Sequence, residues 1–250
     1  VGALLADGTL VARDGFTGPW VTQAGSVATA AFAGGSIAVL STDGTVSARS
    51  DLTAAWIGET TNAAEVYLDG IRLGVLRTDG TLIAKDGLTG SWVTELGGVA
   101  AAAFSGDNLA VLLTDGTVKT KTGLSGVWVT QTTNATQVFL DGNRLGALLG
   151  NGTLVAKDGL AGSWVTQATT VAVAAFAGDN LAIIRTDGTM AAFSAPGLPR
   201  RLVALPRRDI NALITEELRR LDEDAAYSAT MARLAGRWRA NDPGSVEETP

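Results

Sequence analysis

The sequence of 250 residues contains no cysteine and no histidine. Without cysteine the chain forms no disulfides and no thiolate metal sites. Without histidine it lacks the commonest general base and the commonest metal ligand. A serine–histidine–aspartate triad or a zinc site therefore cannot be assembled from the usual parts.

Long apolar runs and basic residues are also scarce. No stretch of about 18 apolar residues occurs, so the sequence predicts no membrane span. Residues 1–195 hold 10 Lys and Arg against 16 Asp and Glu, a net charge of −6, whereas residues 196–250 hold nine of each sign. An acidic domain lacks the basic patch that phosphate backbones require, so we expect no nucleic-acid partner.

The main feature of the sequence is a unit of 36 residues that occurs six times. Its marker is a short turn motif, which reads Ala-Asp-Gly-Thr at 6–9 and Gly-Asn-Gly-Thr from Gly150. The other four copies read Thr-Asp-Gly-Thr and begin at Thr42, Thr78, Thr114 and Thr186. Spacing this regular indicates a repeat architecture.

One unit, residues 92–125, illustrates the predicted fold. Four β-rich runs, 92–96, 99–104, 109–113 and 117–121, nearly fill the unit and leave no room for a helix. Asp115-Gly116 lies between two apolar runs, which favours a hairpin with a type I′ turn. Four antiparallel strands per unit, repeated radially, predict an all-β, six-repeat β-propeller. A sandwich or a barrel of the same strands is the alternative.

Alternate units resemble each other more closely, which gives a 72-residue super-repeat. Arg72-Leu73-Gly74 recurs as Arg144-Leu145-Gly146, and the intervening units carry Asn108-Leu109-Ala110 and Asn180-Leu181-Ala182. The sequence therefore predicts threefold pseudo-symmetry. Five units open with a Trp, but 1–12 supplies only the last two strands of a sixth. Its first two strands lie upstream of Val1, come from the segment around 201–205, or are absent.

Beyond the propeller, predicted at 1–195, the pattern changes. Residues 196–208 contain prolines and read as a linker. Helical spacing of apolar residues over 209–240 predicts a C-terminal α-helical extension, and 241–250 read as a disordered tail. The apolar stripes of the extension predict docking or self-association, hence an oligomer through 209–240.

The repeat resembles that of the tectonin and tachylectin group of propeller lectins. The resemblance covers 1–195 and rests on repeat length, on the five Trp that open units and on the Asp-Gly-Thr hairpin. Part of the unit, such as 109–117, also resembles the regulator-of-chromosome-condensation repeat, but that family's His and Gly-Gln-Leu-Gly stretch are missing. The lectin resemblance implies a five- or six-bladed ring that binds carbohydrate.

The candidate ligand-binding residues in each alternate unit are one Trp and a dipeptide of a basic residue followed by Asp. They are Trp20, Trp92 and Trp164 with Arg13-Asp14, Lys85-Asp86 and Lys157-Asp158. Aromatic faces stack on sugar rings, and charged groups hydrogen-bond sugar hydroxyls. Packing of the repeated Trp between neighbouring blades is the favoured alternative for the aromatic residues. For the charged residues, a salt-bridged pair on a solvated outer strand is an equal alternative.

We predict no metal site, no cofactor and no catalytic residues. The repeated Asp of the turns is explained by turn chemistry, because Asn151 stands in the same place. No acidic residue stands apart from the repeat as a catalytic carboxylate would. The sequence therefore predicts that the chain is not an enzyme.

Two functions remain at this stage. The first is a multivalent lectin with up to three equivalent sites, whose partner is a glycan. The alternative is a non-catalytic protein-interaction scaffold whose C-terminal helices dock into a larger assembly.

Overall fold

The computed structural model describes residues 1–177 and 180–194, which form twenty-two strands and no helix. The predicted linker at 196–208, the helical extension at 209–240 and the tail at 241–250 lie outside the described residues. The strands pair into six sheets, every pairing between them being antiparallel. The prediction of an all-β fold with mostly four-stranded antiparallel sheets is confirmed: four of the six sheets have four strands and two have three.

The strands follow chain order within each sheet. Sheet 1 contains β1 (Gly2–Leu4), β2 (Leu10–Ala12) and β3 (Val21–Ala24). Sheet 2 contains β4 (Val27–Ala33), β5 (Ser36–Ser41), β6 (Val46–Arg49) and β7 (Ile57–Thr60). Sheet 3 contains β8 (Ala63–Asp69), β9 (Arg72–Arg77), β10 (Leu82–Asp86) and β11 (Val93–Leu96).

The second half of the chain repeats this plan. Sheet 4 contains β12 (Val99–Ser105), β13 (Asn108–Leu113), β14 (Val118–Thr122) and β15 (Val129–Thr132). Sheet 5 contains β16 (Ala135–Asp141), β17 (Arg144–Leu149), β18 (Leu154–Asp158) and β19 (Val165–Ala168). Sheet 6 contains β20 (Val171–Ala177), β21 (Asn180–Arg185) and β22 (Met190–Ser194).

The Asp-Gly turns form hairpins, but not of type I′. Gly80 lies in the left-handed region at φ 79°, whereas Asp79 does not. The Gly80 N–H donates to the Arg77 carbonyl at 2.9 Å, and the Arg77 N–H donates to the Thr81 carbonyl at 2.9 Å. This is a three-residue loop whose glycine forms a bulge, and it needs positive φ at one position only. The Asp79 carboxylate accepts the Thr81 N–H at 2.8 Å and closes the turn.

The run that follows each Trp belongs to the preceding sheet rather than opening a new one. β11, which follows Trp92, pairs with β10. The chain then passes through Gly97 and Gly98 into β12 of the next sheet. At this step the Val99 N–H donates to the Gly80 carbonyl of the previous sheet at 2.9 Å. Each 36-residue unit therefore contributes strands to two sheets.

The 72-residue super-repeat has a steric basis. The Phe104 ring lies over Gly74 of the preceding sheet, where an added Cβ would fall 2.4 Å from Cζ. Thirty-six residues earlier, Leu68 packs in the same cluster as Ala38. A large ring over glycine therefore alternates with a smaller Leu in a cluster that contains alanine. The buried clusters join residues of successive sheets, so the core lies between sheets rather than inside one.

The sequence predicted that two strands are missing from one unit, whereas the structure has two sheets with three strands each. Within 1–177 and 180–194, sheet 1 has no counterpart of the first strands β4, β8, β12, β16 and β20. In the same described part, sheet 6 has no counterpart of the outer strands β7, β11, β15 and β19. The cause is the sheet boundary described above, which divides each unit between neighbouring sheets.

Candidate functional site

A cation lies over the Trp ring in five successive sheets. The distances to the ring centroid are 4.6 Å for Arg13–Trp20, 4.3 Å for Arg49–Trp56, 5.0 Å for Lys85–Trp92, 5.1 Å for Lys121–Trp128 and 4.9 Å for Lys157–Trp164. The structure thus places each predicted cation, Arg13, Lys85 and Lys157, over the predicted Trp of the same unit. Sequence reasoning missed the Arg49 and Lys121 pairs because no Asp follows those cations. Their 36-residue spacing was the available signal.

The indole nitrogen of four of these Trp connects neighbouring sheets. The Trp92 Nε1–H donates to the Glu59 carbonyl on β7 at 3.3 Å, and the Trp164 Nε1–H donates to the Gln131 carbonyl on β15 at 3.0 Å. Trp56 and Trp128 make the same bond, to Gln23 and Glu95. These four rings are half-buried, whereas Trp20 is 47% exposed.

The lysines of these pairs are buried and bonded across the same boundary. Lys85, 3% exposed, forms an ion pair with Glu59 of the preceding sheet and donates to the Leu88 carbonyl. Lys121 pairs with Glu95 and donates to the Leu124 carbonyl at 2.6 Å. Lys157 bonds the Gln131 amide oxygen, and burial lowers the pKa of its ammonium. Each buried lysine therefore has an acceptor on a side chain of the preceding sheet, although Glu59 Oε1 and both carboxylate oxygens of Glu95 are buried without a hydrogen-bond partner.

The pair at sheet 2 is less well compensated. Arg49 is 7% exposed, yet its Nε and Nη2 have no hydrogen-bond partner. The spacing that joins Lys85 to Glu59 places Gln23 opposite Arg49, and the Gln23 Oε1 also has no partner. Burial is the main cause that lowers the pKa of Arg49.

The three predicted aspartates lie at the surface. Asp86 accepts a bidentate interaction from Arg72, at 2.7 Å to Nε and 3.1 Å to Nη2. Asp158 accepts the Arg144 Nε–H at 3.0 Å, and Asp14 is exposed. Arg72 also donates to the Gly106 carbonyl at 3.0 Å, so it links sheets 3 and 4. A cavity of about 290 Å³ lies there, lined by Asp69, Gly70, Ile71, Arg72, Asp86, Gly106 and Asp107.

The ligand role of these residues stays a prediction. In sheets 3 and 5 the aromatic and cationic members make contacts between sheets, while Asp86 and Asp158 face outward. The salt bridges of Asp86 and Asp158 join them to arginines, not to the lysine that precedes each of them.

Charge is distributed very unevenly over the surface. All ten Lys and Arg of the described residues are buried or half-buried. By contrast, ten aspartates are exposed: Asp7, Asp14, Asp43, Asp51, Asp79, Asp86, Asp107, Asp115, Asp158 and Asp187. The exposed surface is therefore more uniformly acidic than the net charge of −6 for residues 1–195 indicates.

The exposed aspartates lie at two ends of the sheets. The hairpin end carries the Asp-Gly turns, where the Thr81 N–H is the main cause that lowers the pKa of Asp79. The loop end carries the first-to-second strand turns and the segments that lead to each Trp. There the Thr53 hydroxyl, followed by the Thr53 and Ala54 N–H groups, lowers the pKa of Asp51 to about 2. Both ends therefore remain negative well below neutral pH.

Two kinds of feature are absent from the described residues. No group of three or more acidic side chains there is arranged to hold a metal ion. No helix long and apolar enough to cross a membrane occurs in that part of the chain.

Comparison with protein families gives one match. Residues 143–231, just over a third of the chain, match the family described as the C-terminal domain of a glucose-6-phosphate dehydrogenase subunit. No curated protein sequence matches the chain. The match contradicts the prediction that the chain is not an enzyme, and it points to an enzyme-associated protein. The prediction was wrong because missing His and Cys exclude particular catalytic groups, not membership of an enzyme.

Several solved structures resemble the fold. BamB from Moraxella catarrhalis is 18% identical with a TM-score of 0.53, over 78% of this chain and 69% of that one. The N-terminal domain of Nup159 is 14% identical with a TM-score of 0.53, over 82% and 75%. Yeast Prp20, solved with Kap60 bound, is 10% identical with a TM-score of 0.56, over 67% and 56%. With six successive antiparallel sheets, these likenesses show that the fold is propeller-like.

Proposed function

We propose that the chain is a protein-interaction scaffold, a six-bladed β-propeller with threefold pseudo-symmetry that binds a basic surface of a sugar-phosphate dehydrogenase. The observation that carries the proposal is the charge distribution: ten exposed aspartates and no exposed Lys or Arg among the described residues. Complementary charge steers association and selects partners. The match of 143–231 to a domain of a dehydrogenase subunit supports the choice of partner.

The contacts between sheets support the scaffold part of the proposal. Buried ion pairs such as Lys85–Glu59 and Trp indole bonds such as Trp92 to the Glu59 carbonyl hold neighbouring sheets in one arrangement. A rigid platform loses little conformational entropy on binding. Prp20 provides a propeller precedent, since its structure contains Kap60 as a bound protein.

The loop end is the proposed contact surface. It combines the exposed Asp14, Asp51, Asp86 and Asp107 with Ile71, which is 73% exposed. An apolar side chain surrounded by charge resembles the centre and rim of a protein interface. The hairpin end has the same sign of charge, so it offers an internal control.

The test is capture of glucose-6-phosphate dehydrogenase by the full chain at several salt concentrations. We expect binding that weakens as salt rises, because exposed charges are screened over about 10 Å at 0.1 M. The Asp14→Asn/Asp107→Asn variant should weaken binding. The matched Asp43→Asn/Asp79→Asn variant removes the same charge at the hairpin end and should not. Equal binding by both variants, or no capture, contradicts the proposal.

Carbohydrate binding is a second candidate, and one observation favours a particular site. Trp20 is 47% exposed with Arg13 over its ring, so its aromatic face is more accessible than those of the other four units. On a glycan array, Trp20→Ala should abolish any sugar signal if this site binds carbohydrate. Trp92→Ala, whose ring contacts the preceding sheet, should reduce thermal stability instead. An array without signal removes this candidate.

A further inference from the structure

A cavity of about 430 Å³ lies between the hairpin ends of sheets 5 and 6. Gly150, Asn151 and Gly152 of the turn between β17 and β18 line one side, and Thr170 and Thr186, which adjoin strands of sheet 6, line the other. None of the described residues that line the cavity is charged. The other turns at this end each carry an aspartate, so the cavity differs in charge from the surface around it.

The repeat provides an internal reference for the residues that the fold itself requires. Asn151 stands where every other unit has Asp, and Gly150 stands where every other unit has Ala or Thr. Thr136, which also lines the cavity, stands where the other four first strands have Ala. The corresponding residues are Asp7, Asp43, Asp79, Asp115 and Asp187; Ala6, Thr42, Thr78, Thr114 and Thr186; and Ala28, Ala64, Ala100 and Ala172. Three departures from the repeat therefore meet at one cavity.

The turn does not need its glycine at position 150. Gly150 is outside the left-handed region, and an added Cβ would meet no atom closer than 3.5 Å. Its N–H donates to the Asn134 carbonyl at 2.7 Å, as the Thr78 N–H donates to the Asn62 carbonyl at 2.9 Å in sheet 3. Gly150 therefore widens the cavity without changing the turn.

The side chains around the cavity include both donors and acceptors. Asn151 Oδ1 accepts the Thr153 N–H at 3.0 Å, as the aspartates of the other turns do, so the difference is an amide group that donates in place of a carboxylate oxygen. The Thr136 hydroxyl donates to the Leu148 carbonyl at 3.2 Å, which leaves its oxygen as an acceptor. Gln137 adds a half-buried amide with a donor and an acceptor. The cavity therefore suits a neutral ligand that also donates and accepts.

Thr170 contributes backbone strain to the same cavity. It is a β-branched residue at φ 57°, where the equivalent Asn62 and Gly98 tolerate the conformation better. Its hydroxyl donates to the Thr169 carbonyl at 2.6 Å and accepts from Arg185 Nη1 at 3.4 Å. Strain of this kind clusters at binding sites, which supports a function for the residues around Thr170.

We propose that the cavity binds an uncharged polyhydroxylated small molecule, of the class of neutral sugars and polyols. A hydroxyl group both donates and accepts hydrogen bonds, and the volume lies within the range of small-molecule sites, about 300–1,000 Å³. The aspartates of the surrounding turns repel anions, so the site disfavours sugar phosphates. The site is separate from the loop-end contact surface and from the Trp of each unit, and it goes beyond the scaffold function.

The test measures binding of glucose, galactose, mannose and glycerol to the full chain by saturation-transfer NMR and calorimetry, with glucose 6-phosphate as the charged comparison. We expect saturable binding of a neutral compound and weaker binding of the phosphate. The Gly150→Thr/Asn151→Asp variant narrows the cavity and removes the amide donor, so it should bind about tenfold more weakly or worse. Its melting temperature should not change, because four other turns carry Thr-Asp at these positions. The matched Thr78→Gly/Asp79→Asn variant makes the opposite change in sheet 3 and should keep full binding.

Several results would overturn the proposal. No binding by any neutral compound does so, and so does equal binding by the parent and the Gly150→Thr/Asn151→Asp variant. Tighter binding of glucose 6-phosphate than of every neutral compound would show that the site recognises charge. Loss of binding in Trp20→Ala would place the ligand at the Trp20 ring instead. Capture of the dehydrogenase should be the same for the parent and the Gly150→Thr/Asn151→Asp variant, so failure of this site and failure of the scaffold function are distinguishable.

Discussion

At the scale of single residues, the position opposite each stacked cation controls how well a buried charge is compensated. Glu59 and Glu95 occupy it opposite Lys85 and Lys121. Gln131 occupies it opposite Lys157 and offers an amide oxygen. Gln23 occupies it opposite Arg49, whose Nε and Nη2 have no partner. Two nitrogens of this buried cation therefore lack an acceptor, whereas Lys85, Lys121 and Lys157 each bond a side chain of the preceding sheet.

Gln23→Glu should therefore stabilise the protein. A carboxylate opposite the buried guanidinium supplies the charge-assisted bonds that Arg49 lacks, and we expect the free energy of unfolding to rise by about 1–2 kcal/mol. Urea denaturation measures the change. The control is Gln167→Glu, because Phe193 stands at the cation position of that unit. A gain in both variants would contradict the pairing of residue 23 with Arg49.

A second prediction at this scale concerns Thr170, a β-branched residue at φ 57°. Equivalent positions hold Asn62 at φ 58° and Gly98 at φ 70°, which tolerate the left-handed region better. Thr170→Asn should raise the free energy of unfolding by about 0.5–1 kcal/mol, and the reverse change Asn62→Thr should lower it. Chemical denaturation of both variants checks the sign. The two variants should change the free energy of unfolding in opposite directions, and a change in the same direction would contradict the prediction.

At the scale of elements, most hairpin turns contain a titratable Asp, and the turn with Asn151 allows comparison with a side chain that does not titrate. In five turns the Asp carboxylate accepts the N–H of the Thr two residues later. In four of them this bond lowers the pKa of the Asp; the residues are Asp7, Asp43, Asp79 and Asp115. Asn151 makes the same bond to Thr153 at 3.0 Å without titrating. The turn geometry therefore does not need the charge, but the aspartates make it sensitive to acid.

Replacing these four aspartates by Asn should reduce acid sensitivity. A folded-state pKa below the unfolded value near 3.8 means that the carboxylates stabilise the fold above that pH and lose this contribution as the pH falls through the folded pKa. Between about pH 5 and about pH 2.5, the melting temperature of the variant should fall less than that of the parent. Near neutral pH the two should melt alike. Parallel pH profiles would show that the turns are not acid-sensitive.

The same elements show how far sequence reasoning reached. The six turns, the strand runs and the all-β fold were predictable, because turn residues and short β-rich runs are local signals. The turn type was wrong, since Asp-Gly suits both a type I′ turn and a three-residue bulged loop. The assignment of the run after Trp92 to the next sheet was also wrong. Pairing partners are set by contacts between strands, which the sequence of one strand does not contain.

At the scale of the whole molecule, a ring over glycine alternates with a smaller Leu in a cluster that contains alanine where successive sheets pack. Gly74 accommodates Phe104, whereas Ala38 lies in the cluster that contains Leu68. Gly74→Ala should lower the free energy of unfolding by about 2 kcal/mol, because the new methyl group overlaps the ring. Adding Phe104→Leu should recover part of this loss. The double variant combines Leu with Ala, as Leu68 and Ala38 are combined between sheets 2 and 3.

A double-mutant cycle measures that recovery. The Phe104→Leu change alone should be destabilising, because it leaves space over Gly74. If the losses of the two single variants simply add, the two residues do not interact and the steric account of the super-repeat is wrong.

Self-association through residues 209–240 is a further prediction at this scale and stays one. The apolar stripe Ile210, Leu213, Ile214, Leu218 and Leu221 is wide for a surface left in water. The test measures the mass in solution of the full chain and of a chain that ends at Ser194. A larger assembly for the full chain alone supports the prediction, and two monomers contradict it.

What the sequence determined by itself is the set of local features: the 36-residue period, the hairpin turns, the absence of helices from the repeat and the difference between alternate units. These follow from backbone preference and side-chain volume, which each residue carries with it. Only the tertiary structure decided that the stacked cations face the preceding sheet and that Arg49 lacks a full partner. Those facts depend on which strands meet, because burial and pairing are properties of neighbours that are distant in the chain.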